Sequence, residues 1–295
     1  MGKTTLEQWR MLKAVVEHGG FAHAAEAVHK SQSSINHAVH KLQDQLGIAL
    51  LEVKGRKAHL TEAGALMLRR AERLLEQSEQ LEDIAAGLAA GTEAELRLAI
   101  DEVFPQRFLA DALQAFSNQF PNTRIQLFET VLSGGAEKLV AGEVDILIAG
   151  SAPQGFMGNP LLRAEFIAVA SAEHPLHRLQ RELSLDDLRQ HRQIVIRDSA
   201  LHDSRDSGWL GAEQRWTVSH VATSADMVSR GMGYAWLPST RVAEGLESGI
   251  LRELPLGKAS RRYAELNLIH ADQETAGPAA RALEKLLAHT CAGMR

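Results

Sequence analysis

The pattern of apolar and polar positions divides the chain into a helical N-terminal part and an alternating remainder. In LEQWRMLKAVVEHGG, Leu6, Trp9, Leu12, Val15 and Val16 recur at helical spacing, and Gly19-Gly20 ends the run. FAHAAEAV predicts a short helix in which Ala24, Ala25 and Val28 permit close packing. A tight turn at His29-Lys30 leads to a third helix, with Ser31 as its N-cap. On a helical wheel Ile35, Ala38, Val39, Leu42 and Leu46 form one stripe. Ser33, His37, His40 and Asp44 lie opposite, with Asn36 and Lys41 on the flanks. Two short helices joined by a short turn, the second polar on its outer face, predict a helix-turn-helix. ALLEVKGRKAHLT then predicts two short strands around Lys54-Gly55-Arg56-Lys57, a basic hairpin.

A long helix is predicted from the N-cap Thr61 to a stop at Gly91. Within it Met67, Ala71, Leu74, Ser78, Leu81, Ala85 and Leu88 alternate by four and three residues, the seam of a coiled coil. Burial against the chain's own body is the other reading of such a stripe. Because the helix precedes the second domain and stops at Gly91, pairing with a second copy is the favoured expectation.

From Glu95 onward strand and helix patterns alternate: ELRLAID, PQRFLADALQAFSNQF, RIQLFET, SGGAEKLVAG and VDILIAG read as β-α-β-α-β, an α/β unit with parallel strands. A second set follows in EFIAVAS, SLDDLRQH, RQIVIRD and TVSHVATSADMVSRGMGYAWLP, and YAELNLIHA with GPAARALEKLLAH closes the chain. The expected organisation is therefore a winged helix-turn-helix over residues 1–60, a linker helix over 61–90, and an α/β body of two lobes over 91–295. Lobe I takes about 91–163 and 267–295, and lobe II about 164–266.

Charge sharpens this division. The chain carries a net charge of −5, yet Met1 to Ala65 holds eight Lys/Arg against six Asp/Glu and six of the thirteen histidines. A mildly basic, His-rich head on an acidic body suits a small DNA-binding module. There is no apolar run of about 18 residues, so no membrane span is expected. The N-terminal residues lack the apolar core of a secretory signal. The single cysteine, Cys291, has no partner for an internal disulfide and reads as a bystander in a C-terminal tail. A cytoplasmic setting is the expectation.

The polar side of the third helix is unusual. A plain solvated face favours Glu, Lys and Arg, which are better helix formers than Ser, Asn and His. Short hydrogen-bonding groups suit reading base edges, although an ordinary surface helix of odd composition is the alternative. His37-x-x-His40 permits a metal site, but no cysteine and no second histidine pair accompanies it, and neither metal nor cofactor is expected. No Gly-x-Ser-x-Gly, Walker loop or His-Glu-x-x-His occurs, which argues against an enzyme.

The segment GGFAHAAEAVHKSQSSINHAVHKLQDQLGIALLEVKGRKAHLTEAG resembles the head of LysR-type transcriptional regulators. The shared positions are Phe21, Ala24-Ala25, Ser31-Gln32, Leu42 to Gly47, and Arg56 to Gly64. Ser33, Asn36, Gln43, Leu51 and Val53 depart from the family's usual Pro, Ser, Glu, Phe and Arg. In the body GEVDILIAG, SAEHPL, SLDDL and GMGYAWLP look like further family landmarks, so the resemblance spans nearly the whole chain. It implies a homodimer or homotetramer on double-stranded DNA, contact with RNA polymerase, and a small-molecule effector between two lobes. Ser31, Gln32, Ser33, Ser34, Asn36, His37 and His40 would face the major groove. Lys41, Lys54, Arg56 and Lys57 would hold phosphates. Met67, Ala71, Leu74, Leu81, Ala85 and Leu88 would pair two copies.

The same resemblance implies effector contacts at strand ends: Asp101, Glu102, Leu132, Ser133, Gly134, Gly150, Ser199, Thr223 and Ser224. A carboxylate at Asp101 disfavours an anion beside it and hints at an amine or phenolic donor. The competing functions are a cytoplasmic solute-binding protein and a DNA binder without sequence preference or ligand response.

Overall fold

A computed structural model of the chain describes residues 3–54, 57–202, 204–205 and 207–292. They form two compact units, Met1–Ala90 and Gly91–Arg295.

The first unit starts with α1 (Leu6–Glu17), closed by a capping box in which Thr5 and Gln8 exchange side-chain-to-backbone hydrogen bonds. Trp9, Leu12 and Val15 are buried, whereas Leu6, on the same predicted stripe, is 39% exposed. Helix α2 (Phe21–Ala27) buries Ala24 and Ala25, and the turn after it runs through His29 at φ 50°. Helix α3 (Gln32–Leu46) is capped by Ser31, whose hydroxyl accepts from the Ser34 amide at 3.2 Å, and it stops at Gly47 in the left-handed region. Its stripe of Ile35, Val39 and Leu42 is fully buried against α1 and α2. Gln43 reaches out of α3 so that its Oε1 accepts from the amides of Leu50 and Leu51 at 2.7 and 3.0 Å. That ties the helix to the hairpin β1 (Leu51–Lys54) and β2 (Lys57–Leu60), paired in antiparallel register. Helix α4 (Glu62–Ala89) follows its N-cap Thr61, whose hydroxyl accepts from Gly64 at 2.9 Å. Among the described residues no helix is long and apolar enough to cross a membrane.

The second unit is built on one mixed sheet with strand order β4-β3-β5-β11-β6-β9-β7-β8, and β10 added to β6. In lobe I, β3 (Glu95–Asp101), β4 (Arg124–Thr130) and β5 (Ile146–Ala149) are parallel, with α5 (Gln106–Gln119) and α6 (Gly134–Val140) as crossovers. In lobe II, β7 (Gln193–Ile196), β8 (Arg215–Val218) and β9 (Tyr234–Pro238) are parallel, with α7 (Leu185–Arg189), α8 (Val221–Ser229), α9 (Ser239–Glu247) and β10 (Leu251–Glu253) around them. The sequence pattern anticipated only parallel strands. The exceptions are β6 (Gly158–Ser171) and β11 (Arg261–His270), adjacent and antiparallel, which carry the chain out of lobe I and back. Their register shifts between Leu266 and Asn267. Helix α10 (Pro278–Cys291) returns to pack on α5 in lobe I, where Leu283, Leu287 and Cys291 are fully buried. Cys291 is thus part of the body's core and not a tail residue, because the helical stripe of α10 extends to its last turn.

Candidate functional site

Two surfaces carry candidate chemistry, one in each unit. In the first, the burial of Ile35, Val39 and Leu42 turns the opposite side of α3 outward. Ser31, Gln32, Ser33, Ser34, Asn36, His37, His40 and Lys41 are all exposed. The hydroxyls of Ser31 and Ser33 lie 3.0 Å apart at the start of the helix. Among the described residues, the side chains of Gln32, Asn36, His37 and His40 make no hydrogen bond within the protein, so their donors and acceptors are available outward. No group of three or more His, Cys, Asp or Glu among the described residues is arranged to hold a metal. Arg56 lies outside the described residues, as do the side chains of Lys54 and Lys57.

The seam expected on α4 divides in two. Leu68, Ala71 and Leu75 are buried in the core of the head, with Met67 packed against it. Ala71 is 2% exposed and covered by its own chain, so it is removed from the pairing surface, and Met67 is half covered in the same way. The stripe serves the head first because α1 packs across this end of α4. Further along, Leu74, Leu81 and Leu88 are 51%, 68% and 53% exposed, and Ala85 is exposed beside them. Leu66 adds a fifth exposed apolar side chain.

In the second unit a cleft of about 880 Å³ opens between the lobes. Lobe I supplies Asp101, Leu132, Ser133 and Gly150 to its wall. Lobe II supplies Gln193 and Trp236, and Phe166 and Arg262 project from the crossing strands. The carboxylate of Asp101 accepts from the amides of Val103 at 3.0 Å and Leu132 at 3.1 Å. Burial pushes this carboxyl up to about 6, against the pull of those two hydrogen bonds. Leu132 sits at φ 53°, a left-handed conformation for a branched residue, held by the hydrogen bond to Asp101.

Five residues expected in the cleft do not line it, because they bind the lobes to each other or face elsewhere. Ser199 Oγ accepts from the Val131 amide at 2.9 Å and donates to the Val131 carbonyl at 3.1 Å. Gly134 lies directly beneath Ser199, close enough that a Cβ there would overlap its hydroxyl. Glu102 is 8% exposed, and its carboxylate meets His220 Nδ1 at 2.6 Å and the Val221 amide at 2.7 Å, at the start of α8. Thr223 is exposed, and Ser224 is fully buried on the inner face of α8 with no hydrogen-bond partner for its Oγ among the described residues. Two further groups complete the bridge between lobes. Asp198 accepts from the amides of Ser133, Ala200 and Arg205 at 3.0, 2.9 and 2.8 Å. Burial opposes its ionisation, but these hydrogen bonds together outweigh it and hold the carboxyl below its ordinary value. Glu137 of α6 accepts from the amides of Leu201 and His202 at 2.7 and 3.1 Å.

Sequence reasoning missed Gln193, Trp236 and Arg262. A signal for Arg262 existed: in the alternating strand β11 it shares parity with Ala264 and Leu266, the face that lines the cleft.

Residues 6–65 match the bacterial regulatory helix-turn-helix protein, lysR family, and residues 89–292 match the LysR substrate binding domain. The HTH-type transcriptional regulator YeeY of Escherichia coli is 29% identical over 262 residues, 85% of this chain and 83% of that protein. A probable hydrogen peroxide-inducible genes activator of Streptomyces viridosporus is 31% identical over 258 residues, 84% of this chain and 82% of that protein. The solved structure of CrgA, a LysR-type transcriptional regulator from Neisseria meningitidis, superposes with a TM-score of 0.54 at 22% identity, covering 97% of this chain and 99% of that one. This last similarity is one of fold.

Proposed function

The chain belongs to the LysR family of bacterial transcriptional regulators, DNA-binding proteins that respond to ligands, and from that premise we propose how its own residues do so. Helix α3 enters the major groove of a dyad-symmetric operator. Gln32, Ser33, Asn36, His37 and His40 read base edges there, while Lys41 and the basic hairpin hold phosphates. The observation that carries this reading is the outward face of α3: exposed short polar side chains, of which Gln32, Asn36, His37 and His40 have no hydrogen-bond partner among the described residues, on a helix whose other side is fully buried. The exposed leucines of α4 pair two copies, which brings two heads to two half-sites. A small molecule binds in the cleft of the second unit against Asp101, Leu132, Ser133 and Gly150.

Its effect on DNA follows from its differential affinity for the arrangements that the heads adopt. The protein acts in the cytoplasm without catalysis, and contact with RNA polymerase converts operator occupancy into altered transcription. Selection of bound sequences from a random duplex library tests the core of the proposal. A dyad-symmetric consensus is expected, with the affinity falling steeply as salt rises. Recovery of unselected sequence would favour a DNA binder without base preference, and no DNA binding would favour a solute-binding protein.

A further inference from the structure

The lobe II side of the cleft carries two polar groups, the Arg262 guanidinium and Gln193 Oε1, that have no hydrogen-bond partner among the described residues, and together they define a ligand. Arg262 lines the cleft half-buried, with its guanidinium carbon 4.1 Å from the centre of the Trp236 ring. Its neighbour Arg261 is held by Glu253 at 2.8 Å and by Glu165 at 2.9 Å. No carboxylate among the described residues pairs with Arg262. The backbone at Gly208 runs so close that a Cβ there would overlap Arg262 Nη1, so the guanidinium is confined beside the indole. Burial lowers its pKa from the ordinary arginine value.

Gln193 gives the second observation. It is 4% exposed and lines the same cleft. Its Nε2 donates to the Trp209 carbonyl at 2.8 Å, and this assigns the other terminal atom as oxygen. That Oε1 is buried and accepts nothing from the described residues. A buried acceptor left without a hydrogen bond is unfavourable, and a ligand donor would recover that loss. Phe166, Trp209, Trp236 and Tyr263 give the same region flat apolar walls.

Building on the cleft as the effector site, we propose that the effector is a small aromatic carboxylate with a hydroxyl or N–H donor: its carboxylate on Arg262, its ring along the aromatic wall, and its donor on Gln193 Oε1. Arginine suits this role because its planar fork binds a carboxylate through two parallel hydrogen bonds. Asp101, on the lobe I side, has both oxygens engaged by backbone amides and disfavours a second anion there. The charged end of the ligand therefore lies toward lobe II, away from Asp101.

The test uses the full chain, isothermal calorimetry, and 4-hydroxybenzoate and indole-3-carboxylate as probes, each beside its neutral primary amide. Both carboxylates are expected to bind at up to millimolar concentration, more than about tenfold tighter than their amides. Arg262→Gln should erase that preference and Arg262→Lys should restore part of it, with unchanged thermal midpoints verifying that both variants fold. Gln193→Leu should weaken 4-hydroxybenzoate but not benzoate. No binding by either carboxylate, equal binding by the amides, or a preference that survives Arg262→Gln overturns the inference. Ser133→Trp separates the two levels. If it abolishes binding of amides that bind as well as the acids, the cleft stands and the anion site falls. If carboxylates bind it as tightly as they bind wild type, the cleft reading itself falls.

Discussion

Replacing Gly134 by alanine puts a methyl group where the two lobes are stitched together. The added Cβ would overlap Ser199 Oγ and lie 2.9 Å from the Ser199 carbonyl carbon. Rotating the hydroxyl away does not relieve the backbone contact, so the chain at Ser199 must retreat. The retreat breaks the bonds from Ser199 Oγ to the Val131 amide and carbonyl, at 2.9 and 3.1 Å. Two such hydrogen bonds are worth about 1 kcal/mol each, and a stranded amide adds about 1–3 kcal/mol. Removing a glycine from the unfolded chain returns roughly 0.4–1 kcal/mol. The net loss is on the order of 3 kcal/mol, which for a unit of this size lowers the unfolding midpoint by roughly 6–12 °C. Calorimetric scans of the full chain measure it. Gly150→Ala is the control, because its new Cβ would meet only the Glu265 carbonyl oxygen at 3.8 Å, an ordinary contact. It should leave the midpoint within about 1 °C. In a Ser199→Ala background the cost of Gly134→Ala should shrink, since part of the overlap is gone. A Gly134→Ala midpoint equal to wild type would refute the stitched-lobe account.

Asp101 makes stability depend on pH in a defined direction. Its folded pKa of about 6 lies above the ordinary 3.8, so the folded state holds the proton more tightly and ionisation subtracts from stability. The loss is absent below the ordinary value, grows as pH rises, and is complete above about 6, at about 3 kcal/mol. The stability difference between Asp101→Asn and wild type, followed by urea titration, should therefore move in the variant's favour across that window, and a pH-independent difference would contradict it. Leu74→Asp with Leu81→Asp should convert a head-and-linker fragment of residues 1–90 to monomers in light scattering, because both side chains are exposed in one chain and a charge buried between copies is strongly unfavourable. A wild-type fragment already monomeric at micromolar concentration would count against pairing through α4.

Much of the head was legible because its signals are local. Ser31 and Thr61 cap helices three residues away, and the stripe of α3 needs only the helical period. The α4 seam was read less well for a physical reason. Leu68, Ala71 and Leu75 pack on the head at the same three-and-four spacing that a partner helix would require, so period alone does not tell self-burial from pairing. In the body, strand ends were placed correctly at Asp101, Ser133 and Gly150, but the roles of Glu102 and Ser199 depended on partners 118 and 68 residues distant. Arg262 and Gln193 escaped notice because each looks like a routine strand residue until the crossing of β6 and β11 turns both toward one cleft.

If the outward face of α3 reads sequence, base preference at each operator position depends on its side chains. Library selections with wild type, Asn36→Ala, His37→Ala, Lys41→Ala and Arg56→Ala should give one dyad-symmetric consensus for wild type. Asn36→Ala and His37→Ala should each relax a single position per half-site, by about 1–3 kcal/mol. Lys41→Ala and Arg56→Ala should weaken all sequences alike and reduce the salt slope by about one. Base preferences left unchanged by both Asn36→Ala and His37→Ala would contradict the account.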